Sequence, residues 1–185
     1  MAKKDSYSQL LKQEFIDLFE TLELNDIQKH YLKSRWLDQI LWMEERANDA
    51  RQRYYQLRLI TIVGGVIAPI LISLNTNNQI LDSYLKGFTI ALSGMVAISS
   101  SVEEFFHYGE RWRSYRRTTE ILKGEGWEFL ELSDSYASYK THEEAFKNFA
   151  MNVENIIQSD VEVYLTKVTK ETKKDKEEKM PEVYQ

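Results

Sequence analysis

The sequence predicts an all-α protein: an integral membrane helical hairpin of two transmembrane helices. These continue into long antiparallel cytoplasmic helices, and the whole is expected to be homo-oligomeric. Three observations predict it. Two apolar stretches, 59–74 and 87–102, contain no Asp, Glu, Lys or Arg and flank a short polar loop, 75–83. Arginines crowd the outer flanks of this pair: Arg46, Arg51, Arg53 and Arg58 precede it, and Arg111, Arg113, Arg116 and Arg117 follow it. Only two prolines and seven glycines interrupt 185 residues.

The lengths are close to the minimum. A bilayer core of about 30 Å asks for roughly 20 helical residues, with a lower limit near 17. The first stretch alone gives about 24 Å of helix. Arg58 and Lys86 extend the two spans to about 57–74 and 84–102, because long basic side chains near helix ends reach the headgroups. The competing reading is a buried hairpin in a soluble bundle. The arginines favour lipid. Under the positive-inside rule they hold both termini in the cytoplasm, at the cell (inner) membrane, and turn the loop outward. Tyr54, Tyr55, Phe105, Phe106, Tyr108 and Trp112 gather at the same boundary.

Composition narrows the function. A net charge of −5 argues against a nucleic-acid binder that depends on phosphate neutralisation. The absence of cysteine removes disulfides, zinc thiolate sites and a thiol nucleophile. The first 15 residues lack the continuous apolar run of a secretory signal, so the hairpin itself would direct insertion.

Four segments follow along the chain. In 1–25, Leu10, Leu11, Phe15, Leu18, Phe19 and Leu22 share one helix face. Its opposite face is mostly acidic, which points to docking on the protein's own helices instead of on a membrane surface. Segment 26–140 is the two-transmembrane domain. Its first helix is capped at Asn25 or Asp26. Trp36, Ile40, Met43, Ala47, Ala50, Tyr54 and Leu57 form a heptad seam, continued by Thr61, Gly64, Ala68 and Leu71. Pro69 is expected to kink the outer end. Small residues at Thr61, Gly64 and Ala68 favour close helix packing; the alternative is a flexible point at Gly64-Gly65.

The second helix, about 84–123, is expected to pair antiparallel with the first over 26–74. Its packing stripe is read as Gly87, Ala91, Gly94, Ile98 and Ser101, then Phe105, Tyr108, Trp112, Tyr115, Thr119 and Leu122. The other face lines up Thr89, Ser93, Ala97, Ser100 and Glu104, with Lys86, His107 and Arg111 at its ends. Hydroxyls ending in a carboxylate suit a water-filled pathway, and a ring of Glu104 would favour cations. The plainer alternative is that these hydroxyls bond to their own helix. Arg116 and Glu120, four apart, can pair either as an inter-helix or inter-subunit clamp, with His107 and Arg111 at the cytoplasmic mouth, or as an ordinary surface salt bridge. The run Gly124-Glu125-Gly126 is expected to end this helix.

Segment 141–167 begins with a capping box, Thr141 and Glu144, and continues as an amphipathic helix through Phe146, Phe149, Val153, Ile156 and Val163. Segment 168–185 mixes charges without apolar spacing and is expected to be disordered.

No catalysis is expected. His30, His107 and His142 have no histidine partner at ligand spacing, and Glu103-Glu104-x-x-His107 is half of a di-iron site whose second copy is missing. Neither metal nor cofactor is implied.

Two segments carry a resemblance: Arg35-Trp36-Leu37-Asp38-Gln39 with Trp42 and Tyr54-Tyr55, and Trp112-Arg113-Ser114-Tyr115-Arg116-Arg117-Thr118-Thr119-Glu120-x-Leu122-Lys123-x-Glu125. Over about 26–140 the chain resembles the SLATT superfamily of bacterial two-transmembrane domains, apart from Met43 beside Trp42. The resemblance implies membrane oligomers acting as pore-forming defence effectors, and supplies no ion or trigger. The expected function is therefore an oligomeric two-span channel or pore. Its partners would be the lipid bilayer, copies of itself and inorganic ions, without nucleic acid. The rival is a membrane-anchored structural or signalling adaptor whose cytoplasmic helices recruit a partner.

Overall fold

A computed structural model describes residues 2–74 and 78–178, with side chains described from 12 to 160 within them. Helices are α1 (Ala2–Thr21), α2 (Asp26–Tyr31), α3 (Asp38–Ser73), α4 (Gln79–Phe106), α5 (Tyr108–Glu131) and α6 (His142–Glu178). No strand occurs among the described residues. The chain divides into two compact units, one of Met1–Met43 with Arg117–Gln185 and one of Glu44–Arg116.

The first unit is built on aromatic packing. Asn25 caps α2 in a capping box with Gln28, as the sequence predicts for that position. A π-helical turn, Leu32–Leu37, then joins α2 to α3. Leu32, Trp36 and Leu37 are buried in this turn. Phe15 and Phe19 of α1 meet the Trp36 indole edge-on at 5.4 and 5.8 Å, so α1 docks on the protein's own helix as expected. Leu10 and Leu11 lie outside the described side chains.

Trp36 Nε1 donates to the Leu122 carbonyl at 2.9 Å. The Gly124-Glu125-Gly126 run does not end α5, which continues to Glu131. The reason is packing: a Cβ at Gly126 would collide with the Trp36 indole, so this glycine admits a side chain instead of terminating a helix. Phe129 stacks on Phe149 of α6 at 4.4 Å.

Thr141 Oγ1 accepts from the Glu144 N–H at 3.3 Å, and the Glu144 carboxylate accepts from Lys140 N, one residue before the cap. Ala145, Phe149, Val153 and Ile157 are the buried line of α6. The helix runs past Lys167 to Glu178, where a disordered tail was expected from 168. The Val163 side chain and residues 179–185 lie outside what is described.

The second unit is an antiparallel hairpin. Ala47 and Ala50 are buried, Tyr54, Leu57, Thr61, Ala68 and Leu71 half-buried, and Gly64 buried. The predicted α3 seam therefore runs unbroken through its apolar half, with Pro69 inside the helix. Pairing register follows from Gly64 against Leu92 and Val96, Tyr54 against Gly109, and Glu44 against Arg116.

The partner seam departs from the predicted one along α4, whereas in α5 Tyr108, Trp112, Tyr115, Thr119 and Leu122 are half-buried or buried as expected. Asp82, Leu85, Thr89, Leu92, Val96 and Ser99 turn inward, again at steps of three and four. Gly87, Ala91, Gly94, Ile98 and Ser101 are exposed, and a Cβ at Gly87 or Gly94 would meet only open space. Leu and Val fill the groove beside Gly64 better than glycine does, because two small surfaces leave a void. α4 also starts five residues before 84, since Asn78 Oδ1 accepts from Ile80 N at 3.0 Å and caps it within the supposed loop. Residues 75–77 of that loop lie outside the described residues.

By length and composition, two helical stretches are apolar enough to cross a membrane: Asp26–Ser73, with its π-helical turn, and Gln79–Glu131.

Candidate functional site

The second predicted helix is broken at His107. Its φ of 49° puts it in the left-handed region, where Asn, Asp and His are the commonest non-glycine residues. The His107 N–H closes α4 on the Glu103 carbonyl at 2.9 Å, and the His107 carbonyl starts α5 by accepting from Glu110 and Arg111 at 3.1 and 3.0 Å. Gly109 follows at once. A Cβ there would lie 2.8 Å from the Tyr54 ring, so the glycine lets the ring seat against the break.

The break shifts the phase of the buried face. Before it the inward residues are Val96, Ser99 and Glu103; after it they are Tyr108, Trp112 and Tyr115. Phe105, expected on the packing stripe, is 77 % exposed because it precedes the break, on the outward face of α4 with Ile98 and Ser101.

Around the break lies a polar cleft of about 380 Å³, lined by Tyr54 and Arg58 of α3, Ser100, Glu103 and Glu104 of α4, His107, and Glu110 and Arg113 of α5. Three carboxylates and two guanidiniums line it. Among the described residues, no three His, Asp or Glu side chains group as a metal site.

The sequence-predicted residues divide here. Ser100, Glu104 and His107 come together in the cleft. Ser93 and Ala97 are exposed on the flank of α4 that leads to it. Thr89 does not belong with them: it is 8 % exposed, and its hydroxyl donates to the Leu85 carbonyl at 2.8 Å. Its place, one step around the helix, falls inside the seam. Arg111 lines a different recess, with Arg46 and Arg53. Arg116 Nη1 lies 3.7 Å from Glu44 Oε1, a partner the i,i+4 reading overlooked, and Glu120 lies 3.9 Å from Lys123. Of the packing glycines, Gly64 is used within the chain and Ala68 is half-buried beside it, whereas Gly87 and Gly94 are open.

Sequence reasoning missed Arg58, Glu103, Glu110 and Arg113 as lining residues. A signal existed in part: Glu103 and Glu110 lie seven apart, and Ser100 and Glu103 three apart. The left-handed residue that brings the two helix faces together left no such trace.

No curated protein and no solved structure matches the chain. Residues 38–144 match the family described as protein of unknown function (DUF4231), a stretch that holds the hairpin, the His107 break and every residue of the cleft. On that match, covering more than half its length, the chain belongs to the DUF4231 family.

Proposed function

We propose that the chain is a two-span membrane protein whose copies assemble around a common axis into an ion-conducting pore, with both termini in the cytoplasm. The exposed apolar surface of the hairpin carries this reading. Leu59, Ile62, Val66, Ile70, Phe88, Ile90 and Ile98 stand open, and only 11 % of the most apolar window in each long helix is buried. A core helix of a water-soluble bundle would be covered. Contiguous apolar surface of this extent aggregates in water and is at home in lipid.

The pore follows from what lies along α4. Ser93, Ala97 and Ser100 are exposed and lead to Glu104 and the polar cleft. Polar residues within a span turn toward a bundle interior or a water-filled cavity. The open stripe of Gly87, Ala91 and Gly94 suits close approach by a second copy. The resemblance to SLATT domains agrees with this reading and suggests an effector that permeabilises its own membrane.

Reconstitution into liposomes tests it. Wild-type protein is expected to pass monovalent cations, Glu104→Gln to lower cation over anion selectivity, and Ser93→Leu to lower flux. Light scattering of the detergent-solubilised particle is expected to give several copies. Electrically silent liposomes holding a folded oligomer would favour the adaptor instead. A chain monodisperse in detergent-free buffer would reject both.

A further inference from the structure

A second recess in the hairpin has different chemistry. Arg46, Asp49, Ala50 and Arg53 of α3, with Tyr108, Arg111 and Tyr115 of α5, enclose about 70 Å³. Arg46, Asp49 or Ala50, and Arg53 on α3, like Tyr108, Arg111 and Tyr115 on α5, follow at steps of three and four, so each set shares one face. Three guanidiniums meet one carboxylate there, Asp49. The space is too small for a nucleobase and admits one tetrahedral group.

Arg53 is held in position. Its Nη1 donates to Tyr108 Oη at 3.4 Å, and its guanidinium lies 5.6 Å from the centre of the Tyr108 ring. Tyr108 Oη, as acceptor, keeps its own proton to donate. A planar guanidinium offers a fork of donors that matches phosphate oxygens, and two such forks on facing helices can share one oxyanion. Arg53 also stands one to two turns before the apolar half of α3, about 9 Å along the helix from Leu59, at headgroup depth if the helix spans a bilayer.

We propose that this recess binds a phosphate group, carried by an anionic lipid headgroup or by a soluble phosphate compound, bridging Arg53 of α3 to Arg111 of α5. A bound phosphate relieves repulsion among the guanidiniums and ties the first turns of α5 to α3. The assignment does not depend on conduction.

Inorganic phosphate is titrated into the full chain in neutral detergent at constant ionic strength, against chloride, by calorimetry and thermal melting. Saturable binding with a rise in Tm is expected. Arg53→Gln or Arg111→Gln is expected to weaken it about tenfold or more, the loss of a charged hydrogen-bond partner. Arg51→Gln, exposed on α3 outside the recess, is expected to leave it unchanged. Should a glutamine variant lose helicity, Arg53→Lys keeps the charge without the fork and is expected to weaken binding likewise. Nanodiscs of phosphatidylcholine alone or mixed with phosphatidylglycerol identify the source. A phosphate response lost only in the phosphatidylglycerol discs assigns the lipid headgroup; an equal response in both assigns a soluble compound. The proposal is overturned if phosphate acts no differently from chloride and Arg53→Gln does not alter the response to phosphatidylglycerol. An equal loss in Arg51→Gln overturns it too, as the mark of diffuse charge.

Discussion

Gly124 and Gly126 sit two residues apart in α5 and do different work. A side chain at Gly124 meets open space, while one at Gly126 meets the Trp36 indole. Gly126→Ala is therefore expected to cost about 1–3 kcal/mol through overpacking. Gly124→Ala is expected to be neutral or to stabilise by up to about 1 kcal/mol, since helical alanine restricts the unfolded chain. Urea unfolding followed by circular dichroism separates the two. Nearby, Arg35 holds the Glu154 carboxylate with paired bonds of 2.7 Å, and Tyr31 Oη donates to it at 3.0 Å. The Arg35 hydrogen bond keeps the Glu154 carboxyl below its usual range, against a smaller opposing effect of burial. Stability from this group is thus present above roughly pH 4.3, the unfolded value, and lost as pH falls through the lower folded value. Glu154→Gln is expected to flatten the acid limb of a pH–Tm profile while leaving neutral-pH unfolding two-state. Tyr31 itself is pushed well above its ordinary pKa, first by burial and then by Glu154.

The break between α4 and α5 depends on a single left-handed residue. At His107 glycine adopts the observed φ without cost, whereas alanine meets the steric penalty of that region. Gly at 107 is expected to be more stable than Ala by about 1 kcal/mol, a comparison in which both variants lose the imidazole equally. Equal stabilities would mean that the helix runs through 107 without interruption. The element scale also explains the one seam that was misassigned. Leu85, Thr89, Leu92 and Val96 have the same spacing as Gly87, Ala91, Gly94 and Ile98, so periodicity alone cannot choose between the faces. Gly64 chooses, because its missing side chain leaves a hole of the size that Val96 and Leu92 fill.

Across the hairpin as a whole, the two kinds of glycine should respond oppositely to enlargement. Gly64→Leu is expected to pry α3 from α4 and to lower the melting temperature of the solubilised chain, as overpacking of a tight contact does. Gly94→Leu meets nothing inside the chain; under the pore reading it is expected to leave each copy folded and to reduce the size of the assembled particle. Analytical ultracentrifugation in detergent, paired with thermal melting, reads both. An assembly unchanged by Gly94→Leu would remove α4's open stripe from the contact between copies.

By itself the sequence determined the helical class, the seam from Trp36 through α3 to Leu71, a cap at Asn25 or Asp26, the cap at Thr141, and the docking of Phe15 and Phe19. Each rests on residues close in the chain or on a repeat that only one helix period satisfies. Tertiary structure decided the rest: which face of α4 packs, why α5 runs through Gly126, where the Arg116 guanidinium goes, and how Ser100, Glu104 and His107 come to line one cleft. Those outcomes depend on shape matching between segments distant in sequence, and on one residue of positive φ that rotates every side chain after it. Composition and spacing carry no record of either.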